Sequence, residues 1–513
     1  MAEHGQERGP ATLTALLEGR AAERPDAPAI LADGAAPLAY RALAAAARRV
    51  AGGLAAQGIG PGDRVALWLP NRPAILVLQF ALARLGAVAV HLSSRASAAE
   101  LAALLGRARP SAIVTEWGFG VDFPGMLAEA LADLRAPLRF VAGLGEGLPP
   151  RLDGLPVVPW AVLDGAAEAA ADLATPEAAV LTFTTSGTTG TPKLALHAQA
   201  SIAAHARDVS AALGLGEAGS VALVPVPLCG TFGLSLAMAA LAGGAALVAP
   251  PRFEPAAADA AIRQHRVTHM VGGDDLLLRL AEAAGGQPYD SMRFTGFASF
   301  HPGAERVAEV CGALGMNPHG LYGASEVQAI FAVQDEVHRR LPGGRPVGRG
   351  AAVLADAEGV LSFRGPSLFC GYLGDPAATK AALADGTYTS SDLGEVRPDG
   401  GFTFLGRRDD ALRLSGFLVQ PAEIEAVLSA QPGVTAAIVV GARGGTAAVA
   451  FVQGGADPAA LQAACEAALP RHKRPARIVA LESLPVAEGP NGAKPQRRAL
   501  REEADRILAE APA

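Results

Sequence analysis

A run of small hydroxylated residues and glycines, TTSGTTGTPK at positions 184–193, is the stretch of this chain best suited to chemistry. It follows an apolar run at 179–183 and ends on a lysine. Glycines let a backbone approach a ligand closely. Hydroxyls, free backbone N–H groups and a lysine can all donate to phosphate oxygens. The run differs from the pattern GxxxxGK[ST], because Gly187 and Gly190 are too close together and Leu194 follows the lysine. Taken alone, it is equally typical of a flexible surface loop.

Further short motifs with charged and aromatic residues follow along the chain. In chain order they are YGASE (322–326), GTYTSSD (386–392), GRRDD (406–410), SGFLVQPAEIE (415–425) and AKPQRRAL (493–500). With the first run they resemble, in order and spacing, the signature motifs of the adenylate-forming superfamily, in its acyl-CoA synthetase branch. One such match carries little weight, whereas six in the family's order, spread over nearly the whole chain, indicate membership.

The resemblance implies a site for ATP and Mg²⁺. Its residues would be Thr185, Ser186, Gly187, Thr188, Thr189, Gly190, Lys193, Tyr322, Gly323, Ser325, Glu326, Asp392 and Arg407. In this assignment Glu326 binds Mg²⁺, Tyr322 stacks near the adenine, and Asp392 accepts hydrogen bonds from the ribose with help from Arg407. Interpreted without the surrounding motif, Glu326 would be a solvated surface acid and Asp392 would be a turn residue. The motif order favours the functional roles.

The same resemblance implies a second step that uses the C-terminal part of the chain. Lys494 would reach both the substrate carboxylate and the α-phosphate, and is predicted to be catalytic together with Glu326 and Lys193. Asp409 would be the hinge of a small domain that rotates between steps. Gly416 would then flank the channel for the pantetheine arm of coenzyme A, where a glycine permits close approach. An ordinary loop lysine is the alternative interpretation of Lys494.

A pocket for the carboxylic acid is predicted around six residues. They are Cys229, Gly230, Phe232, Phe297, Ala298 and Ala324. None is acidic, so the ammonium group of an amino acid would lack a partner there. We therefore expect an apolar fatty, alicyclic or aryl acid. Coenzyme A is the expected acceptor. The alternatives are a ligase that loads a separate carrier protein and an ATP-binding relative that has lost catalysis.

Apolar runs alternate with amphipathic stretches over most of the chain, which predicts an α/β fold with mainly parallel sheets. Helices are expected at 40–57 and 73–85, and strands at 64–69, 87–92, 112–115 and 221–226. Asp-Gly turns in 343–405 predict antiparallel hairpins, a small β-barrel-like subdomain. The predicted division is a large N-terminal adenylation domain, 1–406, and a small mobile α+β domain, 407–513.

Composition excludes several other functions. The chain has 513 residues, a net charge of −7 and a pI near 5.9, which argues against a nucleic-acid partner. Its four cysteines are far apart, so neither a disulfide framework nor a structural zinc site is expected. Prolines and glycines interrupt the uncharged segment 221–251, which therefore reads as buried strand, loop, helix and strand rather than a membrane span. We expect a cytoplasmic protein.

Overall fold

A computed structural model describes residues 11–32, 36–119, 122–132, 134, 136–185, 192–298, 304–334, 343–414, 417–489 and 492–510. Its helices are α1 (Leu13–Glu23), α2 (Tyr40–Ala56), α3 (Pro73–Arg84), α4 (Ala98–Ala108), α5 (Phe123–Leu131), α6 (Trp160–Asp164), α7 (Gln199–Leu213), α8 (Thr231–Gly243), α9 (Pro255–His265), α10 (Asp274–Ala283), α11 (Ala304–Ala313), α12 (Pro376–Ala382), α13 (Pro421–Ser429), α14 (Pro458–Ala468) and α15 (Arg497–Glu510). Proline begins several of them, where its missing N–H costs nothing.

One large sheet is parallel at its centre and antiparallel at both ends. Its strands, in spatial order, are β20 (Gly371–Tyr372), β10 (Leu194–Ala198), β9 (Ala179–Thr184), β4 (Val88–His91), β3 (Arg64–Trp68), β5 (Ala112–Glu116), β6 (Phe140–Leu144), β8 (Leu155–Pro159) and β7 (Arg151–Leu152). The strands β20, β10 and β9 pair antiparallel at one end of this sheet. The 184–193 run therefore connects the paired strands β9 and β10.

A second large sheet changes from parallel to antiparallel along its width. Its parallel strands are β1 (Pro28–Leu31), β12 (Ala246–Val248), β11 (Val221–Leu223), β13 (His269–Gly273), β14 (Phe294–Ala298) and β15 (Pro318–Ala324), with the short β2 (Leu38–Ala39) antiparallel to β1. Its antiparallel strands are β16 (Gln328–Val333), β17 (Gly343–Pro346), β23 (Phe402–Arg407), β22 (Thr387–Val396), β19 (Val360–Arg364) and β18 (Ala352–Ala355), and β21 (Leu383–Ala384) pairs with β22. The predicted hairpins thus extend one edge of this sheet.

The helices α3 and α8 lie in the core and carry no charged residue on their buried faces. Residues 74–83 of α3 and 231–242 of α8 are all buried. This burial accounts for the uncharged segment 221–251, which forms β11, α8 and β12 as the sequence predicts. None of the helices in the described part of the chain is long and apolar enough to cross a membrane.

The C-terminal part of the chain has its own core. The strands β26 (Val434–Ala442), β27 (Ala447–Gly454) and β28 (Arg477–Leu481) form a sheet with α13, α14 and α15 packed around it. Two hairpins accompany it, β24 (Leu412–Leu414) with β25 (Phe417–Val419) and β29 (Val486–Gly489) with β30 (Gly492–Pro495). This is the predicted small α+β unit.

Candidate active site

The two ends of the 184–193 run are held together by backbone and side-chain hydrogen bonds. The backbone N–H of Thr185 donates to the carbonyl of Lys193 at 2.8 Å, and the Lys193 N–H donates to Thr185 Oγ1 at 3.2 Å. Leu194, which stands where the family usually has glycine, is fully buried in the core beside β9. Ser186, Gly187, Thr188, Thr189 and Gly190 lie outside the described residues, so their phosphate-binding role stays a prediction.

Glu326 lies in the tight turn between β15 and β16 and is almost fully buried, with 8% of its surface exposed. Gly323 makes this turn feasible, because a Cβ there would lie 2.2 Å from the carbonyl oxygen of Ala329. The Glu326 Oε1 atom accepts a hydrogen bond from the hydroxyl of Tyr372 at 2.7 Å. The same ring lies under the Lys193 ammonium, 4.8 Å from Nζ to the ring centroid. Two predicted catalytic residues thus meet at one tyrosine.

The backbone beside Glu326 is fixed by a buried histidine. His197 on β10 donates through Nε2 to the carbonyl oxygen of Ser325 at 2.7 Å. Burial lowers the pKa of His197 to about 4, although the Ser325 carbonyl opposes this change. The ring is therefore neutral at pH 7, and its bond positions the backbone of Ser325 next to Glu326.

The predicted ribose-binding residues form a second group, in which Asp392 is buried and Arg407 is exposed. Strand pairing places Asp392 on β22 directly opposite Arg407 on β23, and Arg407 Nε lies 3.1 Å from Asp392 Oδ1. The hydroxyl of Tyr322 donates to the other oxygen, Asp392 Oδ2. The Tyr322 ring itself packs between Phe363 and Phe402. Since each carboxylate oxygen has two lone pairs, Asp392 keeps capacity to accept from a further hydroxyl.

These charges lie close enough to influence one another. Burial raises the pKa of Glu326, while the Tyr372 hydroxyl and the cations of Arg407 and Lys193 act to lower it. Among the described residues, no group of three or more His, Cys, Asp and Glu side chains could hold a metal by itself. One buried carboxylate fits Mg²⁺, which proteins commonly hold through one or two carboxylates together with substrate phosphates, and the cations nearby suit those phosphates. Glu326 is therefore suited to a metal shared with a nucleotide.

The residues predicted to line the acid pocket are small or apolar, and most are buried. Cys229 and Phe232 are each 3% exposed and Phe297 is 2% exposed, and Ala298 and Ala324 are half-buried at the ends of β14 and β15. Gly230 precedes α8 with φ −91° and ψ 151°, a conformation open to any residue. Burial raises the pKa of the Cys229 thiol to about 11, so it stays protonated at neutral pH.

The segment that carries Cys229 is fixed by Asn71. Its Nδ2 donates to the carbonyl of Val226 at 3.0 Å, and its Oδ1 accepts from the Leu228 N–H at 2.7 Å. Asn71 is itself buried, so it satisfies backbone groups that would otherwise lack partners. The segment that leads to Cys229 is thereby positioned by a side chain that follows β3 of the first large sheet.

A cleft of about 350 Å³ adjoins this segment, between the carboxyl ends of strands from both large sheets. Its lining is Leu69, Pro70, Asn71, Ser94, Arg95, Phe119, Phe123, Pro225, Pro227, Pro251, Arg252, Phe253 and Glu254. The Phe119 ring lies between two guanidinium groups, 4.6 Å from Arg72 and 4.8 Å from Arg252. A larger groove of about 670 Å³ between α2, α3 and Trp160 contains none of the predicted site residues.

The residues predicted for the second step lie in the C-terminal part. Asp409 is in the 3-10 turn Arg408–Asp410, Lys494 is on β30, and Gly416 lies outside the described residues. Two motif residues that the sequence leaves without a role pair with α15. Asp410 bonds Arg501 at 2.6 Å, and the buried Glu425 bonds Arg497 at 2.9 Å. These motif residues hold the small unit together.

The sequence analysis missed two site residues, Tyr372 and Tyr388. Burial, and then the Glu326 carboxylate, raise the pKa of the Tyr388 hydroxyl, so this side chain lies close to the same group. Three of the five tyrosines of the chain, at 322, 372 and 388, lie close together here, and no spacing in the sequence indicates this.

Parallel sheets with the candidate residues at their carboxyl ends, a hydroxyl-rich run of sequence between two paired strands and two buried carboxylates beside cations are typical of a nucleotide-binding enzyme of the α/β class. Residues 17–373 match the AMP-binding enzyme family and residues 423–488 match the AMP-binding enzyme C-terminal domain. The chain belongs to this family of adenylate-forming enzymes.

Individual relatives match over nearly their full length. An octahydro-indenyl-propanoyl:CoA ligase of Mycobacterium tuberculosis is 31% identical over 512 residues, 95% of this chain and 99% of the relative. Sulfoacetate–CoA ligase of Cupriavidus necator is 31% identical over 506 residues, 94% and 96% of the two chains. Among solved structures, ATP-bound MatB from Rhodopseudomonas palustris superposes with a TM-score of 0.84 at 25% identity, over 97% of this chain and 99% of that one.

Proposed function

We propose that this enzyme activates an apolar carboxylic acid with ATP and transfers the acyl group to coenzyme A. In the first step a carboxylate oxygen bonds to the α-phosphorus, and the bond to the β-phosphate breaks to release pyrophosphate. In the second step the thiol sulfur attacks the acyl carbon, AMP leaves, and the thiol proton is released. The products are acyl-CoA, AMP and pyrophosphate.

The observation that carries this proposal is the convergence of Glu326, Lys193, Asp392 and Arg407 beside the 184–193 run. Two anions attract a metal ion and ribose hydroxyls, while two cations suit phosphate oxygens. Phosphoryl and adenylyl transfer depend on positioning and electrostatic stabilisation rather than on a protein nucleophile. A bound Mg²⁺ would neutralise phosphate charge, and Glu326 would hold it.

The individual roles follow from these contacts. Asp392, fixed by Tyr322 and Arg407, would accept the ribose hydroxyls, and Lys193 would meet the phosphates at the mouth of its loop. Lys494 would come from the small domain, whose boundary we place at residues 406 and 407, with Asp409 as its hinge. There it would neutralise charge at the α-phosphate and the substrate carboxylate.

An apolar acid is favoured by the residues that border the pocket. The six residues predicted to line the pocket, Cys229 and Phe232 among them, carry no charge of their own, whereas one relative is named for sulfoacetate, a doubly charged acid. An ammonium group buried among these residues would lack a carboxylate partner. The other relative is named for an alicyclic acyl group, which matches the kind of substrate that such a lining accommodates.

Coenzyme A is favoured as acceptor by the cleft next to Cys229. Its lining includes Arg95 and Arg252, and cations of this kind suit the phosphates of coenzyme A. By contrast, Lys473 pairs with Glu423, and Arg474 donates to the carbonyls of Leu469 and Glu466, so these two cations have partners within the C-terminal part of the chain.

The test is a panel of carboxylic acids assayed for pyrophosphate release, with hydroxylamine to trap acyl-AMP. Coenzyme A and a phosphopantetheinylated carrier protein are then supplied in separate reactions. We expect trapping with apolar acids and thioester formation with coenzyme A. Transfer to the carrier alone would establish the alternative ligase. ATP binding without pyrophosphate release from any acid would identify a relative that has lost catalysis.

A further inference from the structure

Tyr372 links the two residues that the proposed function assigns to the metal and the phosphates. Its hydroxyl donates to Glu326 Oε1 at 2.7 Å, and its ring lies 4.8 Å from the Lys193 ammonium. We propose that Tyr372 is a positioning residue that holds Glu326 and Lys193 in the arrangement that binds the metal–triphosphate group. This inference rests on the proposed function, which places Mg²⁺ at Glu326.

The tyrosine is held firmly enough to act in this way. Strand β20 pairs with β10, the strand that Lys193 immediately precedes, and the Tyr372 N–H donates to Thr379 Oγ1 at 2.8 Å. The ring of Phe369 packs edge-on against it at 4.9 Å. The Phe369 N–H also donates to the Glu326 carbonyl at 2.8 Å, so backbone and side chain of Glu326 are both tied to one segment.

This arrangement determines where the charges point. A carboxylate with one oxygen bonded to a fixed hydroxyl has its second oxygen fixed as well, so Oε2 of Glu326 keeps one direction. A lysine has many rotamers in solution, and a ring under the ammonium restricts them. Pre-orienting both groups removes an entropic cost that binding would otherwise carry.

The hydroxyl and the ring can be tested separately by calorimetric titration with ATP. Tyr372→Phe keeps the ring under Lys193 and removes the bond to Glu326. We expect it to weaken ATP binding in the presence of Mg²⁺ about tenfold, as loss of a hydrogen bond to a charged group does. Binding of ATP in excess EDTA should not change. Tyr372→Leu removes the ring as well, and should also weaken metal-free ATP binding about threefold.

The chain supplies a matched control in Tyr289. Its hydroxyl donates to Asp259 Oδ1 at 2.8 Å and its ring lies 4.7 Å from the Arg263 guanidinium, the same pair of contacts far from the site. Tyr289→Phe should leave ATP binding unchanged with and without Mg²⁺. Titration of Mn²⁺, followed by electron paramagnetic resonance in the presence of ATP, should repeat the tenfold loss for Tyr372→Phe alone.

The outcomes separate this inference from the proposed function. Wild-type protein that binds no Mg²⁺–ATP would overturn the function itself. Wild-type binding with an unchanged affinity in Tyr372→Phe would overturn only the role of Tyr372. If Tyr372→Phe lost the same ATP affinity with Mg²⁺ and in EDTA, its hydroxyl would support the fold rather than the metal ligand Glu326. That result would overturn the inference too.

Discussion

The nucleotide side and the acid side of the candidate site are built in different ways. On the nucleotide side each charged group has a side-chain partner, as Glu326 has Tyr372 and Asp392 has both Tyr322 and Arg407. On the acid side, the residues predicted to line the pocket, such as Cys229, are small or apolar, and backbone bonds to Asn71 hold the segment that leads to Cys229.

This difference matches the two substrates. A nucleotide presents the same charges in every turnover, so fixed partners can orient the groups that bind it. An acid differs in shape and length between relatives, and an apolar wall discriminates by only about 0.8 kcal/mol per methylene. Changes on the nucleotide side should therefore weaken ATP binding or slow a step equally for every acid, whereas changes on the acid side should produce graded preferences among acids.

The largest effect is expected at Lys494, which would add a charge to the nucleotide side from the small domain. Lys494→Ala should slow acyl-AMP formation about a thousandfold, a typical loss for one transition-state contact. Thioester formation from supplied acyl-AMP should survive. Both half-reactions are measured by rapid quench, with the exposed Lys380→Ala as control. A parallel fall in both would contradict the rotation between two steps.

The second largest effect is expected at Gly416, in the step that transfers the acyl group to the thiol of coenzyme A. A bulky side chain at Gly416 should block the pantetheine channel, so Gly416→Trp should slow thioester formation about a hundredfold, as misplacement of a reacting group does. Acyl-AMP formation should remain. Gly455→Trp is the matched control, because open space surrounds that glycine in the same small domain. Normal transfer to coenzyme A by Gly416→Trp would refute the assignment.

The sequence predicts most of the local structure because hydrophobic periodicity and turn residues are local signals. The helix expected at 40–57 is α2, Tyr40–Ala56, and the strand expected at 64–69 is β3, Arg64–Trp68. The Asp385-Gly386 turn has φ of 48° and 66°, as a tight hairpin requires. The strand expected at 221–226 ends earlier, at Leu223, because Pro225 and Pro227 follow.

Contacts between distant residues are less accessible from sequence. Motif order identifies Glu326, but its hydroxyl partner Tyr372 lies 46 residues away with no spacing rule to indicate it. The pairing of Asp392 with Arg407 depends on the register of β22 and β23, which a bulge shifts between Leu393 and Gly394. Side-chain partners across a sheet are set by tertiary packing, and one sequence does not encode them locally.

A smaller effect, on the affinity for ATP, is expected when the charge of Asp392 is removed from the predicted ribose-binding pair. Asp392→Asn keeps the size of the side chain but weakens its bonds to Arg407 and to a ribose hydroxyl. The KM for ATP should rise about tenfold, with a small change in kcat. Asp399→Asn is the control, because its bond to Arg345 on the same sheet is exposed and surface pairs contribute little. An unchanged KM would remove Asp392 from the nucleotide site.

The smallest and most graded effect is expected on the acid side, at Gly230. Its backbone conformation accepts a side chain, so Gly230→Phe can fold, whereas a Cβ at the nearby Gly233 would lie 2.4 Å from the Pro227 carbonyl. If Gly230 and Cys229 leave the pocket deep, Gly230→Phe removes that depth. The kcat/KM should then fall about fourfold for each methylene that an acid extends into the lost volume.

A chain-length series of acids, assayed by pyrophosphate release, measures this gradient, with Gly230→Ala as the conservative control. The competing arrangement is that Phe232 or Phe297 already fills the space, since protein interiors keep a high packing density. In that case Gly230→Phe would overpack the site and depress every acid equally. A loss of kcat/KM that grows with chain length therefore assigns Gly230 to substrate selection. A uniform loss of kcat/KM assigns Gly230 to the fold instead. The neighbouring aromatic side chains would then set the depth of the pocket.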